Sequence, residues 1–338
     1  MTSLRQHAFN VMQDLQKLPL EGSESLARRQ RDYLALMAQH LGLSVQPNHP
    51  TPFAADEPSQ QPLADAFNQR ATHYRQLHQF QLALLHAIRQ CGSHSQPMQV
   101  LVVEPGPIGA IVLPVLLLLR PNRVQLTLLE PDAEALASLK RLLLALDLGD
   151  CVQALHHTTP ETWQPEAQQR FDLILAEPSQ PLLQHDPYLA RLQHLAQYLT
   201  PQGQLLPQSI LMDAWLIGRH DNVRSEHWYP LGGFFTLDRY AVDFMAQQAQ
   251  PDIGGELPSF HDCQPEQLAL TTELQLFDNL WLKGAQSPLT HTQFHDVSQF
   301  KRLNQVRFQY RWPEQRFAFN CSGDAMTQTN KASQGQSG

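Results

Sequence analysis

The sequence predicts an α/β protein in three parts: an N-terminal helical segment, a Rossmann-like parallel sheet and a β-rich C-terminal domain. Between residues 99 and 211, short apolar runs alternate with helical stretches, the pattern of repeated βαβ units. Before this region apolar residues recur at helical spacing. After about Arg219 the period becomes two. Leu268, Leu270, Leu274 and Leu276, then Val306, Phe308, Tyr310 and Trp312, alternate with polar residues as in antiparallel strands with one wet face.

In chain order, helices are expected over 4–18 and 25–43, the second closing near Gly42. Pro47, Pro50, Pro52, Pro58 and Pro62 make 46–62 a linker, and a third helix follows over 63–90. Strands are expected at 100–103, 125–129, 152–156, 172–176 and 204–211, with helices at 108–119, 133–146 and 187–199. Residues 321–338, rich in Ser, Gly, Gln and Thr, read as a disordered tail. The chain therefore divides into 1–62, 63–218, 219–320 and 321–338.

Composition narrows the function classes. Hydrophobic residues make up 42% and charged ones 17% of 338 residues, which suits a soluble globular chain. A net charge of −8 argues against a surface shaped for phosphate backbones, so no nucleic-acid partner is expected. The apolar stretch 108–119 is shorter than the ~20 residues a bilayer requires, and Pro114 interrupts it, so no membrane partner is expected either. The N-terminus lacks a secretory layout, and Cys91, Cys151, Cys263 and Cys321 form no CxxC pair, which together point to a reducing cytoplasm. His291 and His295 stand four apart, as zinc ligands on a helix would, but only Asp296 is near as a third ligand; no metal is expected.

The first strand runs into Glu104-Pro-Gly106-Pro-Ile108-Gly109, where a helix N-terminus and bare glycine backbone allow a ligand to approach. An acid two positions before the glycine favours a cationic amino-acid group over a pyrophosphate. The second strand ends at Glu130, placed to accept bonds from two ribose hydroxyls. This Glu-x-Gly loop and acidic second-strand tip resemble the class I S-adenosylmethionine-dependent methyltransferases, although Ile108 and Ala110 stand where that family has its later glycines.

After the fourth strand, Glu177 and Asp186 lie nine residues apart. With Tyr198-Leu-Thr-Pro-Gln-Gly-Gln-Leu-Leu-Pro207 and the β-rich domain that follows, this arrangement resembles the double-glutamate loop of the protein arginine methyltransferases. The resemblance implies S-adenosyl-L-methionine as cofactor, held by Glu104, Gly106, Gly109 and Glu130, with His157 at the adenine edge. It implies Glu177 and Asp186 as catalytic carboxylates holding a protein or small-molecule guanidino or amine group, and association into a homodimer. Asp186 also reads as a cap for the helix at Pro187, a common Pro-at-N1 arrangement. Thr290-His291-Thr292 echoes the family's Thr-His-Trp loop too faintly to count as a match. Two other readings stay open: a non-catalytic scaffold or regulatory protein of the same fold, and a small-molecule methyl- or aminopropyltransferase.

Overall fold

The computed structural model describes residues 4–17, 23–43, 61–92, 96–120, 122–166, 168–219, 226–259 and 263–325. Most of the linker expected over 46–62, and the chain beyond 325, lie outside the described residues. Four helices come first: α1 (Leu4–Leu15), α2 (Ser23–His40), α3 (Gln61–Thr72) and α4 (Tyr74–Cys91). The single helix expected over 63–90 is thus two. His73 leaves helical geometry at φ −97°, ψ 38°, one residue after Thr72, whose hydroxyl donates back to the Asn68 carbonyl, a bond that competes with helix continuation.

The parallel sheet consists of β1 (Met98–Val103), β2 (Val124–Glu130), β3 (Val152–His157), β4 (Phe171–Ala176) and β5 (Leu199–Leu206). Its order is β3-β2-β1-β4-β5, with every pairing parallel. β1, β2 and β4 are nearly continuous apolar runs because both faces are covered. The covering helices include α5 (Val112–Leu117), α6 (Ala133–Ala145) and α7 (Tyr188–Leu195). α5 is shorter than expected because residues 106–111 are taken up in turns, with Gly106 at φ 70° and Gly109 at φ 48°. α7 likewise gives way to a 3-10 turn at Ala196–Tyr198 instead of running to 199. This is the Rossmann-like sheet of class I methyltransferases.

The strand expected over 204–211 divides at Pro207, which has no N–H for the ladder. β5 closes the parallel sheet, and β6 (Ser209–Arg219) begins a second one, pairing antiparallel with β7 (His227–Asp238) and β9 (Gln264–Phe277). β6 therefore belongs with the C-terminal strands, ten residues earlier than the sequence division at 219. β10 (Leu280–Leu282) and β11 (Gln293–Asp296) also join β9. After β7 comes the short helix α8 (Arg239–Met245). β8 (Gly254–Pro258), β12 (Phe300–Arg311) and β13 (Arg316–Ala325) form a third sheet in the order β13-β12-β8. Residues 321–325, expected in a disordered tail, are strand: pairings such as Cys321 with Val306 supply the order that their polar composition does not.

One continuous core joins these parts, running from Ala8 and Met12 of α1 through Tyr33 and Leu77 to the sheet and on to Leu270 of β9. Within it lies a polar anomaly. His78 on α4 is 1% exposed, and among the described residues neither ring nitrogen has a partner. Burial depresses its pKa to about 4.

Since the unfolded chain binds this proton near pH 6.5 and the folded chain only near 4, folding stability is present above pH 6.5 and lost as pH falls between these values. The loss attributable to His78 amounts to about 3 kcal/mol at pH 4. His78→Leu is expected to flatten that part of the pH profile in urea melts; an unchanged slope would show that the ring titrates normally.

Candidate functional site

Strands β1 and β4 are neighbours, and the chain leaves them in opposite directions, which creates the crevice where open α/β sheets bind ligands. Val103 and Ala176 are register partners at these two tips, so the residues that follow, Glu104 and Glu177, emerge side by side. Val103 also pairs with Leu129, which puts Glu130 one strand further over. The topology thus gathers three of the sequence-predicted acids at one sheet edge.

Each of the three is engaged by its own chain. Glu177 is held in a fork by Arg70 of α3: Nη1 donates to Oε1 at 2.8 Å and Nη2 lies 2.6 Å from Oε2. Gln76 of α4 donates to the same Oε1 at 2.7 Å, and its own Oε1 accepts from the buried Ser287 hydroxyl at 2.6 Å. The ion pair is mostly shielded, with side-chain exposures of 23% for Arg70 and 14% for Glu177. Burial opposes the Arg70 charge, but the adjacent carboxylate outweighs it and holds the guanidinium above its ordinary pKa.

Glu104 sits at φ 49°, a left-handed conformation that costs a non-glycine residue free energy. Its two oxygens meet Arg191 of α7, with both contacts at 2.7 Å, and Arg191 Nε donates to Glu161 at 2.6 Å. Two carboxylates share one guanidinium, leaving one negative charge in the cluster. Burial raises the Glu104 pKa, and Arg191 only partly offsets this. Glu130, 4% exposed, turns onto the loops: Gly106 N donates to one oxygen and Asp132 N to the other, both at 3.0 Å. Asp132 in turn caps α6 by accepting from Ala135 N at 2.8 Å.

The remaining sequence candidates stand beside these acids: His157 is the register partner of Glu130, and Asp186 lies within electrostatic reach of Arg191. Asp186 is 1% exposed; Oδ2 accepts from Ser179 N at 2.6 Å and its hydroxyl at 2.8 Å, while Oδ1 accepts from Tyr188 N at 3.1 Å. It staples the loop after β4 to the first residue of α7, whose N-cap is Pro187, so the expected arrangement with Pro187 at N1 is shifted by one residue. Gly109 faces Leu113 and Leu139, where a Cβ would come within 2.9 Å of each, so its bareness serves helix packing. His157 bonds through Nε2 to the Pro131 carbonyl at 2.9 Å. Ile108 and Ala110 are buried in the core. His295 is part of a strand, so the helical spacing that would pair it with His291 is not realised.

Arg70, Gln76, Glu161, Arg191 and Ser287 were not legible as site residues. The one signal is that Arg70 and Arg191 are each the only Lys or Arg in their helices. The Thr290–His291 segment, set aside on sequence, does return to this region: Ser287 begins its turn, and His291 lies within electrostatic reach of His73 beside Arg70 and Glu177. Burial and the Arg70 charge keep His73 below its usual pKa.

No protein-family model and no curated protein matches the chain. Among solved structures, the chain resembles the Trypanosoma brucei PRMT1 enzyme-prozyme heterotetrameric complex with AdoHcy, at 10% identity and a TM-score of 0.51. The match covers 76% of this chain and 92% of that one. At this identity the likeness is one of fold: the chain has a methyltransferase fold of the kind found in protein arginine methyltransferases. No described helix is long and apolar enough to cross a membrane.

The raised Glu104 pKa carries a stability consequence. A carboxyl whose folded pKa lies above its unfolded value stabilises at low pH, and this contribution is lost as pH rises through the folded pKa. Glu104→Gln is therefore expected to raise the Tm at pH 8 and leave it unchanged at pH 4. A lower Tm at pH 8 would show that the Arg191 pairing outweighs desolvation.

Proposed function

We propose that the chain is an S-adenosyl-L-methionine-dependent N-methyltransferase acting on a guanidino or amine group presented to Glu177. The observation that carries this reading is the fork at Glu177, which already grips a guanidinium through both carboxylate oxygens. Arg70 is then a resting occupant. An incoming guanidinium exchanges one charged fork for another, so Glu177 is not left shielded without a cation, and Arg70 competes with the acceptor for it.

The β1 tip fits an amino-acid head group. A zwitterion requires both signs of charge, and Glu104 and Glu161 supply the negative one while Arg191 supplies the positive one. Gly106, at φ 70°, has nothing within 4 Å of where a Cβ would stand, so its backbone is open to approach. Glu130 lies beside it through the Gly106 N–H. When bound, the cofactor supplies an electrophilic methyl group on a sulfonium.

Glu177 fixes the plane of the acceptor guanidinium and concentrates electron density on the nitrogen left free, which matters because guanidinium resists deprotonation. Gln76 and Ser287 hold the carboxylate in line. Asp186 acts as a positioning residue by fixing the loop that carries Glu177. The acceptor is a protein arginine or a small guanidino or amine compound, and a labelled cofactor offered with peptide and metabolite pools distinguishes these from aminopropyl transfer.

A second reading, a non-catalytic scaffold or regulatory protein of this fold, is favoured by Glu130: at 4% exposure with both oxygens engaged, it does not present itself to a ribose. Calorimetry with S-adenosylhomocysteine decides between them. Saturable binding by the wild type, lost in Glu104→Ala, supports the enzyme. A folded wild type that does not bind supports the scaffold. For the acceptor side, Arg70→Ala is expected to strengthen binding of agmatine several-fold and Glu177→Gln to abolish it.

A further inference from the structure

We propose that strand β13 is a docking edge for a second copy of this chain, pairing antiparallel with the same strand of that copy about a two-fold axis at Asn320. Two three-stranded sheets then join into one of six strands. This surface is separate from the sheet-edge crevice and does not depend on the reading given above.

In the third sheet β12 is central and β13 is an edge, ten residues long without proline or lysine. The direction of its backbone groups follows from β12. Tyr310 N donates to Ile253 O at 2.7 Å and Ser259 N to Asn304 O at 2.8 Å, so Asn304, Val306, Phe308 and Tyr310 turn their backbone groups to β8. Arg307, Gln309 and Arg311 therefore bond to their register partners Asn320, Ala318 and Arg316 on β13. That leaves the N–H and C=O groups of Phe317, Phe319 and Cys321 directed away from the sheet.

At the start of this edge His185 N donates to the Gln315 carbonyl at 2.6 Å. Beyond it, no backbone bond among the described residues reaches the outer side of β13. A long strand edge with unmet backbone groups is a template for another strand, and proteins ordinarily blunt it with proline, lysine, a short length or a cover. What satisfies it has to be extended chain.

The side chains of β13 are complementary to themselves. With the axis at Asn320, Arg316 stands opposite the partner's Asp324 and Asp324 opposite the partner's Arg316, so opposite charges meet at both ends. Between them Ala318 meets the partner's Ser322, and Asn320 meets its own copy. Phe319 and the partner's Cys321, both half-buried, become a backbone-bonded pair, which is the pairing their outward groups require. Moving the axis to Phe319 sets Glu314 against Asp324, two like charges, and moving it to Cys321 sets Ala318 against Asp324. Of these three registers, the one at Asn320 alone pairs opposite charges.

Both charges can be reached. Arg316 lies 2.7 Å from Glu314, an exposed pair that stabilises little and leaves other guanidinium donors unused. Asp324 is exposed and accepts a long hydrogen bond from Asn304 at 3.4 Å. On the opposite face Phe319 packs against Phe234 with ring centroids 5.3 Å apart, so the added strand would extend an aromatic core that now stops at the edge.

The test follows the full chain by sedimentation across a concentration series, beside Arg316→Asp and Asp324→Arg, each checked for a native melting curve. The wild type is expected to form a reversible dimer. Each variant alone sets like charges together at both ends of the pairing and is expected to weaken the dimer by about tenfold or more. Mixed one to one, the two variants meet opposite charges at both ends, and the dimer is expected to return. A merely local role of Arg316 beside Glu314 gives no such recovery. A wild type that stays monomeric up to about 1 mM, a dimer indifferent to both variants, or a mixture that stays monomeric overturns the proposal.

Discussion

The structure depends on neutralising two carboxylates that the sheet forces together. Because β1 and β4 are adjacent and in register, Glu104 and Glu177 leave the sheet at neighbouring tips, partly removed from water. A carboxylate withdrawn from water is costly unless a cation or a donor meets it. Arg70 and Arg191 resolve this from opposite sides, one from α3 and one from α7. Docking of those helices and neutralisation of the strand tips are therefore the same event, and the helix preceding the parallel sheet is part of the site and not an accessory to it.

The glycine loop is organised by the same logic from below. Gln30 of α2 donates to Gln81 of α4 at 2.7 Å, and Gln81 donates to the Ala110 carbonyl at 2.8 Å, so a buried amide relay ties the N-terminal helices to the loop after β1. Glu130 restrains the loop from the other side through Gly106 N. A loop pinned at both ends can hold Glu104 in a strained left-handed conformation, as functional sites commonly do at a cost in stability.

The C-terminal strands reach the site through hydrogen bonds from Ser287 by way of Gln76 to Glu177, and from His185 N to the Gln315 carbonyl. β6 follows the last parallel strand after only two residues, so the antiparallel region is anchored directly to the sheet.

Much of the architecture was written in local pattern. The continuous apolar runs of β1, β2 and β4, the period-two runs of β9 and β12, and the acids at the strand tips are all properties of neighbouring residues, because strand burial and sheet alternation repeat every residue or every second one. Pro207 is visible too, but a proline alone does not say which sheet the residues after it join; the pairing of β6 with β7 and β9 decides that. The polar composition of 321–325 misled because order there comes from a ladder to residues some twenty positions earlier. What the acids do was a matter for the tertiary structure alone. Glu177 meets Arg70 across 107 residues and Glu104 meets Arg191 across 87, separations over which no sequence period carries information. A carboxylate's residue type states that it needs a cation or a donor; only the folded chain decides which one reaches it first.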